Sequence, residues 1–482
     1  MTSYREETDL LGTLRLESDR LWGIHTQRAL QNFHISGQRV HSEFIQSYAM
    51  VKLACLQTAH RLGSWQEEPE KYQAMERACQ ETMQGINETD FPIDALQGGA
   101  GTSTNMNLNE VLANRTLELL GAEKGRYDLV SPSADLNRFQ STNDTYPTAL
   151  RLAAIQGLRR LEDALVDLQE GFQEAEKHFA HVVKVGRTQM QDAVLITLGR
   201  EMGAYAEAMN RDRWRVYKCE ERLRSINLGG TAIGTGLTAP REFIFRVTDV
   251  LSELSGIGLA RSENLLDATQ NLDVFVEVSG MLKACATSLF KIANDLRFLS
   301  SGPDSGIGEI RIPAVQAGSS IMPGKVNPVI LESVMQTAMW VMGHDASISM
   351  AVSMGNLELN PFLPLITHQL LSSIFSLERA CRMMRKRCVD GLEANLGKLD
   401  EHVKSSMSLL TALVPELGYE SLSRLAPAIK QSGLTVYEYL LQNGIQSEAQ
   451  LNTLLNPEHV CRLGHPLLRK QKQKQPTRKE TP

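Results

Sequence analysis

The sequence predicts an all-α protein organised around a central bundle of long helices. Three observations carry that expectation. Phe275, Val278, Leu282, Cys285, Leu289, Ile292, Leu296 and Leu299 recur at alternating steps of three and four residues, an unbroken heptad seam. Ala154, Leu158, Leu161, Leu165, Leu168, Phe172, Ala175 and Phe179 repeat the alternation after Pro147. Runs of β-branched residues alternating with polar ones are nearly absent, so the chain reads as mostly helical, with long helices in its centre.

The 482 residues are enough for about three domains. We expect a first helical domain over residues 1–142, the central bundle over 143–397, and a small C-terminal helical domain over 398–482. The last of these ends in a polar tail, RKQKQKQPTRKETP, which reads as disordered. Glycine clusters at QGGAG (97–101), GGTAIGTG (229–236) and SSGPDSGIGE (300–309) read as loops between helices. Pro328 suits the first turn of a helix, with Asn327 before it as the N-cap.

Composition narrows the function. With 42% hydrophobic residues, 22% charged residues and a formal net charge of -6, the chain is not a dedicated nucleic-acid binder, and an acidic ligand would need a local positive site. The seven cysteines are scattered without CxxC spacing, which argues for reduced thiols in the cytoplasm rather than a disulfide frame or a zinc site. The opening MTSYREETDLLG has no apolar core of signal-peptide length. No window reaches the roughly 18 apolar residues of a membrane span, so a soluble protein is expected.

Four segments concentrate small hydroxyl and amide side chains: GTSTNMNLNE (101–110), QSTNDTYPT (140–148), GRTQMQDA (186–193) and GSSIMPGKVNP (318–328). Singly, Asn107, Asn143 or Thr188 is explained as a helix cap. Together they suggest a polar site, and Lys325 beside the free N–H groups of a helix starting near Pro328 suits a carboxylate. GSSIMPGKVNP is not a phosphate loop. Five residues separate Gly318 from Gly324, and Val326 follows Lys325 where a hydroxyl would hold magnesium.

These segments carry a resemblance. GSSIMPGKVNP fits the signature GSSxMPxKxNP, and GIHTQRALQNF (23–33), QGGAGTSTNMNLNEVLAN (97–114), NLGGTAIGTGL and NLELNPFLP (356–364) extend the match. The chain resembles the aspartase/fumarase superfamily from about residue 10 to 460. The resemblance implies three helical domains and a homotetramer held by the central bundle, each active site being built from three subunits. It implies anti elimination from a small succinate-type dicarboxylate, with residues 317–330 as a mobile lid and Ser319 as the general base. Lys325 and Asn327 are then expected to hold the carboxylate remote from the abstracted proton. Thr102, Ser141, Thr142 and Ser320 surround the other carboxylate, and Asn143 and Thr188 approach the leaving group. Arg28, in the matching N-terminal segment, either adds positive charge or is structural. No cofactor and no metal site are implied. Some aspartases are activated by divalent cations, but nothing in this sequence spells such a site.

Residue 189 bears on the leaving group. Fumarate hydratases have histidine there, paired with a glutamate that corresponds to Glu332, because hydroxide is a poor leaving group and needs an acid. Gln189 cannot supply a proton that way, whereas an ammonium group leaves as neutral ammonia and needs only orientation by hydrogen bonding. An ammonia-lyase acting on L-aspartate is therefore expected, with a fumarate hydratase and a non-catalytic scaffold of the same fold as the alternatives. SPSADLN (131–137) departs from the PNDHVN usual in the family: Asp135 replaces its histidine, which puts a second acid-binding site in doubt. His25 and His344 read as structural.

Overall fold

The computed structural model describes residues 3–464; the polar tail from Arg469 lies outside them. In chain order the elements begin with a hairpin, β1 (Tyr4–Asp9) and β2 (Gly12–Glu17), followed by α1 (Ile24–Asn32), α2 (Ser42–Arg61), α3 (Pro69–Met83) and α4 (Thr102–Leu119). The long helix α5 (Thr142–His178) leads to a second hairpin, β3 (Val183–Thr188) and β4 (Gln191–Thr197), and then to α6 (Leu198–Leu223). β5 (Ser225–Ile226), α7 (Arg241–Ser255), β6 (Ala260–Arg261), α8 (Leu265–Gln270) and α9 (Asp273–Leu299) come next. β7 (Ile310–Arg311), α10 (Val329–Ser353), α11 (Leu363–Arg387), β8 (Glu393–Ala394) and α12 (Leu396–Ser405) precede six short helices. The described residues thus hold eighteen α-helices and only two-stranded sheets, an all-α protein as expected.

The chain divides into two compact units. One takes the chain up to Gln169, then Glu207–Arg297 and Asn327–Cys388; the other takes Glu170–Ala206, Phe298–Val326 and the chain from Val389 on.

In the first unit the heptad seams, up to Leu168 and Leu296, form the core, and their last residues fall in the second unit. Every residue of both seams is buried. Ridges of this kind interlock when backbones approach closely, and Gly157 of α5 allows it: a Cβ there would stand 2.8 Å from the Phe375 ring of α11. Polar pins cross the same bundle. Asp345 of α10 accepts from Ser279 at 2.8 Å and from Lys283 at 2.6 Å on α9, and Arg159 of α5 meets Glu220 of α6 through two bonds of 2.8 Å. Around the bundle α2 packs on α3 and α7, while α4 packs on α1 and α3.

In the second unit the β3–β4 hairpin packs on α12 and on the short helices that follow it. A leucine-rich core runs beneath them from Leu409 to Leu454.

Two local expectations shift. α5 starts at Thr142 and carries Pro147 inside its second turn, so the helix precedes the proline rather than following it. α10 starts at Val329, so Pro328 occupies the cap position and Asn327 lies one residue outside it. The two hairpins β1–β2 and β3–β4 are strands the residue pattern did not announce. Their alternation is diluted by charged residues on exposed faces and, in β3, by a bulge at Gly186.

All seven cysteines are free, as anticipated, and six are buried; only Cys461 is partly exposed. Burial pushes the six buried thiols well above the ordinary cysteine range, four of them to about 12. Among the described residues no helix is long and apolar enough to cross a membrane.

Candidate active site

The first group of expected site residues gathers where α4 and α5 begin. Gly101 caps α4 with a left-handed φ of 92°, and a Cβ there would stand 2.3 Å from the Tyr146 ring of α5, so only glycine lets the two helix starts come together. Thr102 opens α4 on an exposed surface, its hydroxyl donating to Gly99 O at 2.8 Å. One turn on, Asn105 donates to the Thr142 hydroxyl at 3.0 Å and to Asn137 Oδ1 at 3.1 Å. The N-cap of α5 is Ser141, whose hydroxyl accepts from Asn143 N at 3.2 Å. The fold therefore brings Thr102, Ser141, Thr142 and Asn143 to two neighbouring helix N-termini, where aligned peptide dipoles favour an anion.

Behind this group lies a buried network. Asn137 Oδ1 accepts from Asn105, from Asn109 at 3.3 Å and from Lys52 Nζ at 3.0 Å, and Lys52 also reaches Gln140 Oε1 at 2.9 Å. Burial pushes the Lys52 ammonium down to about 7, and among the described residues its bonds go to the amide oxygens of Asn137 and Gln140. Much of the polarity of GTSTNMNLNE is structural. Asn107 donates to Asp90 O at 3.0 Å, and Glu110 accepts from the Gly23, His25 and Thr26 N–H groups at 2.8–3.1 Å, capping α1.

A cavity of about 530 Å³ opens beside Thr102, lined also by His25, Arg28, Asn32 and Gly98. Arg28 brings no free positive charge to it. Its guanidinium holds Asp9 through bonds of 2.8 and 2.7 Å and keeps that carboxyl low, at about 2, so the structural reading of Arg28 stands. Asp135 is likewise spent inside the protein, accepting from Trp65 Nε1 and Ser131 N at 2.8 Å each and pairing with Lys71 at 3.0 Å. His344 bonds Ser373 Oγ at 3.0 Å, in keeping with a structural role.

The second group, Thr188 and Gln189, sits at the tip of the β3–β4 hairpin, where Thr188 pairs with Gln191. Gln189 and Met190 form the two-residue turn with φ of 53° and 62°, a left-handed pair that glycine and asparagine fill far more readily. Backbone held in this region by a glutamine is strained by roughly 1–3 kcal/mol and persists where the surroundings impose it. Glu309, fully buried at 0% exposure, anchors the strand before the turn through Arg187. It accepts from Arg187 at 2.6 Å, bonds His402 Nδ1 at 3.0 Å and pairs with Lys184 at 3.3 Å, while Lys184 also meets Glu201 at 2.8 Å. Burial alone would raise the Glu309 pKa, but Arg187, Lys184 and His402 overrule it and hold the carboxyl below its ordinary range.

The third group is the loop around Ser319. Gly318 N donates to Lys325 O at 2.7 Å and closes the loop, and Gly324 takes a φ of 79° in open space. The Ser319 hydroxyl accepts from Ile321 N at 3.2 Å and Met322 N at 3.1 Å. Two N–H dipoles aimed at one oxygen stabilise negative charge on it, which is what a serine needs to act as a base. Ser320 and Lys325 are exposed, as is Ile321 at 84%. Asn327, at the foot of α10, accepts from Val329 N at 2.9 Å through its carbonyl.

The residues missed from sequence are the ones behind these groups: Lys52, Asn105, Asn137, Asp144, Arg187 and Glu309. Asp144, Asn105, Asn137 and Arg187 lay inside quoted segments and Glu309 closes a glycine-rich loop, but nothing in the local sequence set them apart from their neighbours.

A family model described as Lyase matches residues 12–343, and one described as Fumarase C C-terminus matches residues 409–462. The chain belongs to this lyase family, the aspartase/fumarase superfamily its motifs resemble. An aspartate ammonia-lyase of Pseudomonas canavaninivorans is 44% identical over 461 residues, 95% of this chain and 97% of that protein. Among solved structures, a fumarate lyase:delta crystallin from Brucella melitensis bound to cobalt shares 45% identity with a TM-score of 0.89, covering 94% of this chain and 99% of that one. A class II fumarase from Schistosoma mansoni shares 31% identity with a TM-score of 0.87, covering 95% and 99%.

Proposed function

We propose that the protein is an aspartate ammonia-lyase, catalysing the reversible anti elimination of ammonia from L-aspartate to give fumarate. The observation that carries the choice of amine over alcohol is Gln189. It stands in a left-handed turn beside Thr188 and offers an amide that orients an amine without donating a catalytic proton. The higher identity to the aspartate ammonia-lyase, 44% against 31% for the fumarase, supports the same reading.

In this reading Ser319, as its alkoxide, takes the proton from the carbon next to the β-carboxylate. That C–H pair moves toward the carboxylate, giving an enediolate-like carbanion. Thr102, Ser141, Thr142 and Ser320, with the N–H groups of the two helix starts, stabilise the charge as it forms, an effect worth roughly 3–4 kcal/mol for a single well-placed donor. Lys325 and Asn327 hold the α-carboxylate, while Asn143, Thr188 and Gln189 orient the ammonium group. Collapse of the carbanion forms the double bond and breaks the C–N bond, and the nitrogen departs as neutral ammonia. The reaction needs no cofactor in this scheme, and its place is the cytoplasm.

We also propose a homotetramer with active sites shared among three subunits. Each of the three groups is only part of a site: the helix starts lack the base, the loop lacks the hydroxyl cluster, and the hairpin has neither. Exposed Trp214 and Tyr217 on α6, and Met339, Trp340 and Met350 on α10 with Met354 just after it, supply apolar surface for such an assembly.

The deciding experiment offers purified enzyme L-aspartate and, separately, L-malate, and follows the absorbance of fumarate. Fumarate and ammonia from aspartate alone are expected. Fumarate from malate alone would make the enzyme a hydratase that protonates hydroxide without an acid at 189. Silence with both would turn the reading towards a substituted aspartate or a scaffold role.

A further inference from the structure

Asp144 is fully buried at 0% exposure, and its two oxygens serve two separate stretches of chain. Oδ1 accepts from Ser141 N at 3.0 Å, the bond a capping acid makes in the first turn of a helix. Oδ2 accepts from Gly229 N at 3.1 Å and Thr231 N at 3.0 Å, which capping does not require. The loop held in this way reaches back to Asn143 twice. Asn143 Nδ2 donates to Ala232 O at 2.8 Å, and Asn227 Nδ2 donates to Asn143 O at 3.0 Å. Pro147 explains why that carbonyl is free: it has no N–H to give to the residue four before it.

The loop is not relaxed. Thr231 takes a φ of 53° and Gly234 one of 94°, and a Cβ on Gly234 would stand 2.4 Å from the Leu265 carbonyl. Backbone of this kind endures only where neighbours over-determine it.

We propose that Asp144 is a positioning residue for the elimination, clamping the Gly229–Ala232 loop to the first turn of α5 and thereby fixing the Asn143 amide and the Ser141 and Thr142 hydroxyls against the substrate. The proposal deepens the ammonia-lyase reading and rests on it for the identity of the substrate. To accept three N–H groups the carboxyl must be ionised. Burial pushes its pKa up to about 6, against the three N–H donors and the Lys52 cation on α2. Tyr48 and Cys55, also on α2, face it in neutral form, and Tyr146 follows it on α5. Above pH 6 the clamp is closed; below it, a protonated carboxyl presents an O–H and loses its grip.

The test is Asp144→Asn in the full-length enzyme. Asparagine keeps the size but replaces one acceptor oxygen by an NH₂ that faces N–H donors. The expected result is a fall in kcat for L-aspartate of about 100-fold with KM within about threefold of wild type, because the displaced groups tighten on the transition state. The acid limb near pH 6 in kcat/KM disappears. Amide exchange over 227–236 accelerates while that of α9 keeps its wild-type rate. Wild-type kinetics with an intact acid limb would overturn the proposal, as would faster exchange throughout α5 and α9 with the pH profile unmoved, the mark of general destabilisation. If the wild-type enzyme does not turn over aspartate, the ammonia-lyase reading fails by itself. The exchange measurement then still decides the clamp, since an unchanged 227–236 segment in the variant overturns it.

Discussion

The helix starts at Thr102 and Ser141–Asn143 and the loop at Ser319 are equally polar in sequence, yet they are held in opposite ways. The helix starts rest on a buried network through Asn105, Asn137, Lys52 and Asp144, each tied to elements far away in the chain. The loop carries short-range bonds, Gly318 to Lys325 and Ser319 to Ile321 and Met322, and its apolar Ile321 and Met322 are exposed. One region is cross-linked to distant elements, the other mainly to its own neighbours. In the reaction proposed above, that division would suit dipoles set in place beforehand and a base brought in by closure.

The comparison is broken most directly at the base. Ser319→Ala is expected to lower kcat by roughly 10³-fold while leaving the melting temperature and the assembly state unchanged; full activity in the variant would remove Ser319 from the mechanism. Next in size is Glu309→Gln. It weakens the pairing of Arg187 and Lys184 around a buried carboxylate, and breaking such a pair costs about 3 kcal/mol. A urea titration should register that loss, together with lower activity from a loosened Thr188–Gln189 tip.

A third prediction concerns Lys52. Its folded pKa of about 7 lies below the 10.5 of an ordinary lysine. Between those values the unfolded chain binds a proton that the folded chain has released, so stability rises with pH across that window. Urea melts at pH 7 and pH 9 should show a gain of roughly 1–3 kcal/mol that Lys52→Met abolishes. The smallest effect is expected from Gly324→Ala. The site has open space, and the left-handed φ adds only about 1 kcal/mol of strain to an exposed loop. Turnover should change by less than about threefold and stability by no more than about 1 kcal/mol. A large loss of stability would show that the loop is as firmly built as the helix starts.

What was legible in the sequence follows from periodicity and motif. The Phe275–Leu299 and Ala154–Phe179 seams needed only a spacing rule, and both are buried throughout. The glycine clusters at 97–101, 229–236 and 300–309 lie between elements, as read. The polar segments were picked out correctly as a class, but their division of labour was hidden. Asn107 and Glu110 stand in the same stretch as Thr102 and look alike on paper, yet they tie α4 to Asp90 and to the start of α1. Those partners are 17 and 87 residues away, and no local rule reveals which amide meets which carbonyl across such distances. Glu309 was unreadable for the same reason, its partners Arg187 and His402 lying 122 and 93 residues away.

The burial of the cysteines has a practical consequence. A maleimide dye attacks thiolate, and six thiols are both shielded and pushed far from ionisation, leaving Cys461 as the place where a probe can attach to the folded enzyme. Its sulfur lies 3.4 Å from the hydroxyl of Thr197, at the far end of the hairpin whose tip carries Gln189. A fluorophore there would report on the hairpin's surroundings without any engineered mutation, and the appearance of further labelled sites would be a direct readout of unfolding.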